Sequence, residues 1–141
     1  MNIELEGIDE VFDSLDSLID ETKLKKAMQK CCAIVERSAK EKAPKDTGEL
    51  RRSITSRVDG AGLDIEGVIY TPLEYGPYVE FGTGLFAENG GRTDVPWYYQ
   101  DDKGEWHSTS GMHPHPYMRP ALYENRDKII QTLKEGVLQN D

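Results

Sequence analysis

Three stretches of this chain repeat their apolar residues at steps of three and four, the spacing of one helical face. Ile8, Val11, Phe12, Leu15, Leu18 and Ile19 form the first, inside a segment where residues 1–22 hold eight acids and no Lys or Arg. It reads as an acidic amphipathic helix, set off by Gly7 from a short strand at Ile3 to Leu5. The second is the clearest. Leu24, Ala27, Met28, Cys31, Val35 and Ser38 share a face from Lys23 to about Lys42, and charged or amide side chains line the rest. Glu36 and Lys40 stand four apart in the favourable order for an ion pair. Pro44 ends this helix, since it lacks an amide hydrogen and pushes Ala43 out of helical angles. The third, marked by Leu122, Ile129, Leu133 and Val137, predicts a helix from Pro120 to about Leu138.

Between the second and third helices the period changes. Asp46 and Thr47 can turn the chain through side-chain to backbone hydrogen bonds, and Gly48 supplies a permissive angle. Leu50, Ile54, Ser56 and Val58 then alternate loosely, which predicts a strand over Leu50–Val58. Asp59-Gly60-Ala61-Gly62 is a turn, and Leu63–Thr71 reads as the partner strand, ended by Pro72. Residues 50–71 are therefore expected to form a β-hairpin.

The segment Tyr75-Gly76-Pro77-Tyr78-Val79-Glu80-Phe81-Gly82-Thr83-Gly84 concentrates aromatics, a Val and glycines around one charge, Glu80. Aromatics and Val favour burial. If the segment is extended, Glu80 faces away from Val79 and Phe81. If it is a helical turn, Tyr78 and Phe81 share a face with Glu80 beside it. Gly82-Thr83-Gly84 has two readings, a phosphate cradle or a tight exit from a buried segment. A cradle needs a strand, a loop lysine and a following helix. Here no Lys is in the loop, and Asn89-Gly90-Gly91 follows instead of an apolar helix, so the exit is the better reading.

Residues 85–116 are rich in Gly, Pro, aromatic and polar residues. Val95 to Tyr99 and Trp106-His107 predict a second hairpin with its tip at Asp102 to Gly104 and a Trp on each arm, Trp97 and Trp106. Such an aromatic excursion is either a contact surface or a flap folded on its own domain. Residues 113–120 form a proline-stiffened connector. The expected architecture is α+β: a small antiparallel sheet packed against a long helix and a C-terminal helix, with an extended aromatic hairpin loop, in one domain over 1–141.

Charge changes the picture of partners. The net charge is −9 and only 37% of residues are hydrophobic. Tight binding of nucleic acid through its phosphates needs clustered Lys and Arg, and here Arg51-Arg52 and the lysines from Lys40 to Lys45 make only small patches. A modest core suits a subunit that gains stability from neighbours. No apolar run is long enough to span a bilayer. The first residues lack the basic and apolar regions of a secretion signal, so the chain is expected in the cytosol where it is made. Cys31 and Cys32 are adjacent, which suits two small buried apolar residues better than a redox or metal pair.

His107, His113 and His115 fall within nine positions, near Asp101, Asp102 and Glu105. They would be the ligands of a small metal-dependent hydrolase, but their spacing in a proline-rich segment fits turn and connector residues better. Ser108 or Ser110 beside His107 has no nucleophile motif around it. The chain reads as a non-enzyme without cofactor or metal.

Four segments in order carry a resemblance: the helix ending in Ala43-Pro44, Asp46-Thr47-Gly48-Glu49-Leu50-Arg51-Arg52-Ser53-Ile54, Tyr78-Val79-Glu80-Phe81-Gly82-Thr83-Gly84, and Pro116-Tyr117-Met118-Arg119-Pro120-Ala121-Leu122. Over roughly residues 20–138 the chain resembles the neck or head–tail joining family of long-tailed bacteriophages and prophages, whose members are labelled tail components. The resemblance implies a small α+β virion subunit that assembles into a homo-oligomeric ring, of about six copies. It implies head-closure and tail-tube or terminator proteins as partners, and DNA passing nearby without sequence-specific binding. It also implies assembly in the host cytoplasm and a final place in the virion neck or tail. A tail terminator is the neighbouring role it allows. It implies no catalytic residue. Pro44, Asp46, Thr47, Gly48, Gly82, Thr83 and Gly84 look like fold-defining turns. Trp97, Tyr98, Tyr99, Trp106, Tyr78, Glu80 and Phe81 are the candidate subunit or partner contacts.

Overall fold

The structure is a computed structural model that describes residues 1–4, 20–46, 48–88 and 90–138. The helix expected over Ile8–Ile19 lies outside the described residues, and so does Thr47. The chain divides into two compact units, Met1–Pro72 with Tyr117–Asp141, and Leu73–Pro116.

The first unit is built on α1 (Glu21–Lys42). Asp20 caps it by accepting a hydrogen bond from the Thr22 amide at 2.8 Å, and Glu21 adds an acid to the first turn. Ala43 takes an extended conformation ahead of Pro44, and the helix stops there as expected. Leu24, Ala27, Met28, Cys31 and Val35 are buried, joined by Cys32 and Ala39. Ser38, expected on that face, is only half-buried. The steps of four from Cys31 through Val35 lead to Ala39 and leave Ser38 on the margin. Glu36 and Lys40 approach to 3.9 Å.

The adjacent cysteines point to different neighbours. Cys31 Sγ donates to the Ile129 carbonyl at 3.5 Å, and Cys32 Sγ to the Arg57 carbonyl at 3.9 Å. Burial pushes the Cys31 thiol up to about 12, helped by Cys32. Burial, then the Glu36 carboxylate, pushes Cys32 up to about 11.

The strand expected over Leu50–Val58 is corrected. Its first part is a short helix, α2 (Glu49–Ser53), and only β2 (Thr55–Asp59) is extended. Gly48 at φ +73° sets the turn, and its carbonyl accepts the Arg52 amide at 3.0 Å. Leu50 is buried from a helical position, and the Ser53 hydroxyl donates back to its carbonyl at 2.6 Å. This segment fastens two others. Arg51 Nε donates to the Lys40 carbonyl at 2.9 Å, taking up one of the acceptors that the last turn of α1 leaves open. The Ser53 and Thr71 hydroxyls lie 2.7 Å apart, tying α2 to the exit of the sheet.

The sheet has three antiparallel strands in the order β1 (Asn2–Glu4), β3 (Glu66–Tyr70), β2. Thr55 pairs with Tyr70 and Asp59 with Glu66, so the predicted hairpin exists with shorter arms. A 3-10 turn at Gly62–Asp64 delays its second strand to Glu66. β3 is central, with Gly67, Val68 and Ile69 buried, and α1 packs on β2 and β3.

The C-terminal segment is also corrected, from one helix to two, α4 (Met118–Glu124) and α5 (Arg126–Leu138). The Asn125 side-chain amide donates to the Ala121 carbonyl at 2.7 Å. That is the acceptor its own backbone amide would take in a continuous helix, so the side chain breaks the run. Ile129, Leu133 and Val137 are buried as expected, but Leu122 is only half-buried, and Met118 and Ala121 form the inner side of α4; α5 packs on α1. The contact is close, since a Cβ on Gly136 would fall 2.6 Å from Ala27 Cβ. The fold is α+β, with the small sheet against the long helix and the C-terminal helices as predicted.

Candidate assembly surface

The second unit begins with α3 (Gly76–Phe81), so the helical alternative for the Tyr78 segment is the one adopted. Its faces are not as expected. Val79 and Glu80 turn inward, Phe81 is half-buried, and Tyr78 is 57% exposed. Glu80 has no accessible surface at all. A buried carboxylate is tolerated where its oxygens are satisfied. Among the described residues no buried side-chain nitrogen or oxygen lacks a hydrogen-bond partner. Glu80 therefore serves the fold and has no surface to offer a neighbour, whereas Tyr78 does.

Gly82 closes α3, its amide donating to the Tyr78 carbonyl at 2.9 Å. The next residues run along Ser110 to Met112. Thr83 N donates to the Met112 carbonyl at 2.9 Å, Leu85 N to Ser110 at 3.0 Å, and Met112 N to Thr83 Oγ1 at 2.9 Å. Gly84 has φ +62°, and a Cβ there would lie 2.2 Å from the Ser110 carbonyl oxygen and 2.8 Å from the Trp97 ring. Only glycine lets the two backbones come so close. The amides of Thr83 and Leu85 are spent on carbonyls, so this turn is the tight exit and holds no phosphate cradle.

The second hairpin is present, with β4 (Trp97–Gln100) paired antiparallel to β5 (Trp106–Thr109). Asp101 builds its turn. One carboxylate oxygen accepts the amides of Lys103 and Glu105, both at 2.9 Å, and the other lies 2.7 Å from His107 Nε2. The His107 contact, then the Glu105 amide, holds the Asp101 carboxyl below its ordinary value.

Strand alternation sorts the four nominated hairpin aromatics into two pairs. Trp97 and Tyr99 share one face with His107 and Thr109. Trp97 is half-buried beneath the Arg92 guanidinium, 4.9 Å from the ring centre. Asp94 holds Arg92 through two hydrogen bonds of 2.9 and 3.1 Å. Tyr99 stacks on His107 at 5.4 Å. On the opposite face stand Tyr98 and Trp106, each 69% exposed. The first pair has ring partners within the unit, although Tyr99 keeps 47% of its surface exposed, and the second is presented to solvent without such partners among the described residues. The roles of Arg92 and Asp94 were missed in the sequence. The alternation along 97–100 was a signal that could have separated the faces.

The three histidines are not assembled. His113 stacks on Phe86 at 3.8 Å, and the His115 amide donates to the Val79 carbonyl at 2.7 Å. Among the described residues the one group of metal-ligand types within reach of each other is Asp101, Glu105 and His107, which includes neither His113 nor His115.

A family profile decides the kinship. The family described as "Bacteriophage HK97-gp10, putative tail-component" matches residues 7–82, more than half of the chain. The chain belongs to this family. The match takes in α1, α2, β2, β3 and α3 and stops at Gly82, so the aromatic hairpin of this tail-component protein lies beyond it. Two of the four segments that carried the resemblance fall in the matched stretch, the third, Tyr78 to Gly84, runs two residues past its end, and Pro116 to Leu122 lies outside it. No curated protein and no solved structure matches the chain. Among the described residues no helix is long and apolar enough to cross a membrane.

Proposed function

We propose that this tail-component protein is a ring-forming subunit of the virion neck, completing the tail where it meets the head, and that it is not an enzyme. Membership of the family supports a structural role in the tail. The observation that carries the finer reading is the hairpin face of Tyr98 and Trp106. It is a pair of large aromatics exposed on a two-stranded hairpin, a composition favoured at interface hot spots. Tyr78 joins them as an exposed aromatic of the same unit. In this reading the neighbours are further copies of the chain, a head-closure protein and a tail-tube or terminator protein. Acidic side chains that line the lumen would let DNA pass without adhering.

Native mass spectrometry of the purified chain, alone and with the proteins encoded beside it, tests the reading. A closed cyclic species of about six copies is the expected result. A chain that stays monomeric with every neighbour contradicts it.

A further inference from the structure

The chain is acidic overall, but its charge is uneven. Residues 21–30 carry Lys23, Lys25, Lys26 and Lys30 against one acid, Glu21. Lys25 and Lys26 are exposed and make no ion pair among the described residues, whereas Lys42, Arg57 and Arg92 are paired to Glu124, Asp59 and Asp94. Both free lysines border an open groove of about 390 Å³ between the start of α1 and the turn joining β2 to β3. Gly60, Ala61, Gly62 and Ile65 make its opposite wall. Glycine and alanine keep that stretch of wall low. Glu21 also lines the groove with its carboxylate beside Gly62, so the room for a flat ring lies toward Gly60, Ala61 and the Ile65 side chain.

The hairpin has the complementary chemistry. Asp102 and Glu105 are exposed at its tip, on either side of Lys103 and Gly104, and make no ion pair among the described residues. The tip residues 101–105 hold three acids to one lysine, and Trp106 follows directly with its indole in solvent.

We propose that the hairpin of one copy docks into the α1 groove of the next. Trp106 and Tyr98 lie against the wall of Gly60, Ala61 and Ile65, and Asp102 and Glu105 face Lys25 and Lys26. This rests on the ring reading above and deepens it by naming both halves of the contact. The argument for a second copy as occupant is charge. Like-charged subunits of net charge −9 repel one another. A contact that sets the free lysines of one against the free acids of its neighbour opposes that repulsion and fixes the register. A lysine ammonium over the indole adds a cation–π attraction. The two patches differ, so the contact is head-to-tail, the kind that closes into rings.

The test is a charge exchange in the full chain, read by native mass spectrometry and sedimentation. Lys25→Glu with Lys26→Glu, and separately Asp102→Lys with Glu105→Lys, are each expected to weaken assembly by roughly tenfold, and the combined variant to restore it. All four positions are exposed, so the thermal midpoint of each variant is expected to stay near the parent's. Rings that ignore both reversals, or a combined variant that stays disassembled, overturn the pairing while the ring reading stands. A parent chain that never assembles, with or without its neighbours, overturns the ring reading itself. Carbodiimide coupling of mixed light and heavy chains supplies a second readout. Links from Lys25 or Lys26 to Asp102 or Glu105 between chains support the contact. Links from those lysines to acids of residues 4–20 in the same chain show the groove filled from within and overturn it.

Discussion

The side chains turned inward in the unit built on α1 are mostly apolar: Leu24, Met28, Cys31, Val35, Ile69 and Leu133 have no accessible surface, and nor has the ring of Tyr117. The unit of residues 73–116 is put together otherwise. Its inward groups include the Glu80 carboxylate, and Gly84 and Gly111 let one backbone run against another. Its aromatic side chains are largely at the surface. A hydrophobic core tolerates exchange among apolar residues of similar volume and punishes holes. Backbone-on-backbone contact tolerates no side chain where the glycines stand. The first arrangement releases few large apolar groups to solvent. The second spends little apolar area on itself and leaves Tyr78, Tyr98 and Trp106 for something else.

Substitutions can break this contrast, and the largest effect is expected in the helical unit. Leu133→Ala removes three buried carbons between α5 and α1 and is expected to cost about 3 kcal/mol, read from urea unfolding. An unfolding midpoint that does not move would mean that the α1–α5 contact is not the core.

Gly84→Ala puts a Cβ on the Ser110 carbonyl at positive φ and is expected to cost about 2 kcal/mol in the second unit. The local readout is faster amide exchange at Thr83 and Leu85, whose hydrogen bonds hold the hairpin base. Unchanged exchange there would show that the two backbones have room to part.

A pH titration sharpens the contrast from the thiol side. Both thiols titrate higher when folded than their ordinary value near 9, at about 12 for Cys31 and about 11 for Cys32. Below pH 9 folded and unfolded chains hold the same protons, and the full stability is present. Above it the unfolded chain releases protons that the folded chain keeps. Stability is therefore expected to fall through pH 9–11, by up to about 1.4 kcal/mol per pH unit per thiol. Unfolding curves at stepped pH check this, and Cys31→Ala with Cys32→Ala is expected to flatten the slope.

Gly136→Ala gives a smaller effect of informative sign. On an open helix the change stabilises by about 1 kcal/mol. Here the added methyl meets Ala27 Cβ at 2.6 Å, and a net loss of about 1 kcal/mol is expected. A gain would mean that α1 and α5 can spread without penalty.

Much of the first unit was legible in the sequence because one periodicity governs it. The spacing from Leu24 to Val35 located α1 and its buried face, Pro44 its end, and Ile129, Leu133 and Val137 the inner side of α5. Where a polar side chain overrides periodicity, the reading failed. Asn125 splits the last helix through one hydrogen bond, and Ser53 and Arg51 help fix a helical turn where loose alternation suggested a strand. In the second unit the hairpin and its tip were legible from turn chemistry. The fate of each aromatic was not, because Arg92, Asp94 and His107 decide which rings have partners within the unit. Glu80 was the sharpest miss. It was nominated with Tyr78 and Phe81 as a contact, and it is buried while Tyr78 is out.

The central claim is that the Tyr98 and Trp106 face serves assembly and not the fold. Tyr98→Ser with Trp106→Ser, measured by native mass spectrometry beside thermal unfolding, tests it most directly. The account predicts a stability within about 0.5 kcal/mol of the parent and a loss of the ring, alone and with the neighbouring tail proteins. A clear drop in stability, or a ring that forms as before, would contradict it.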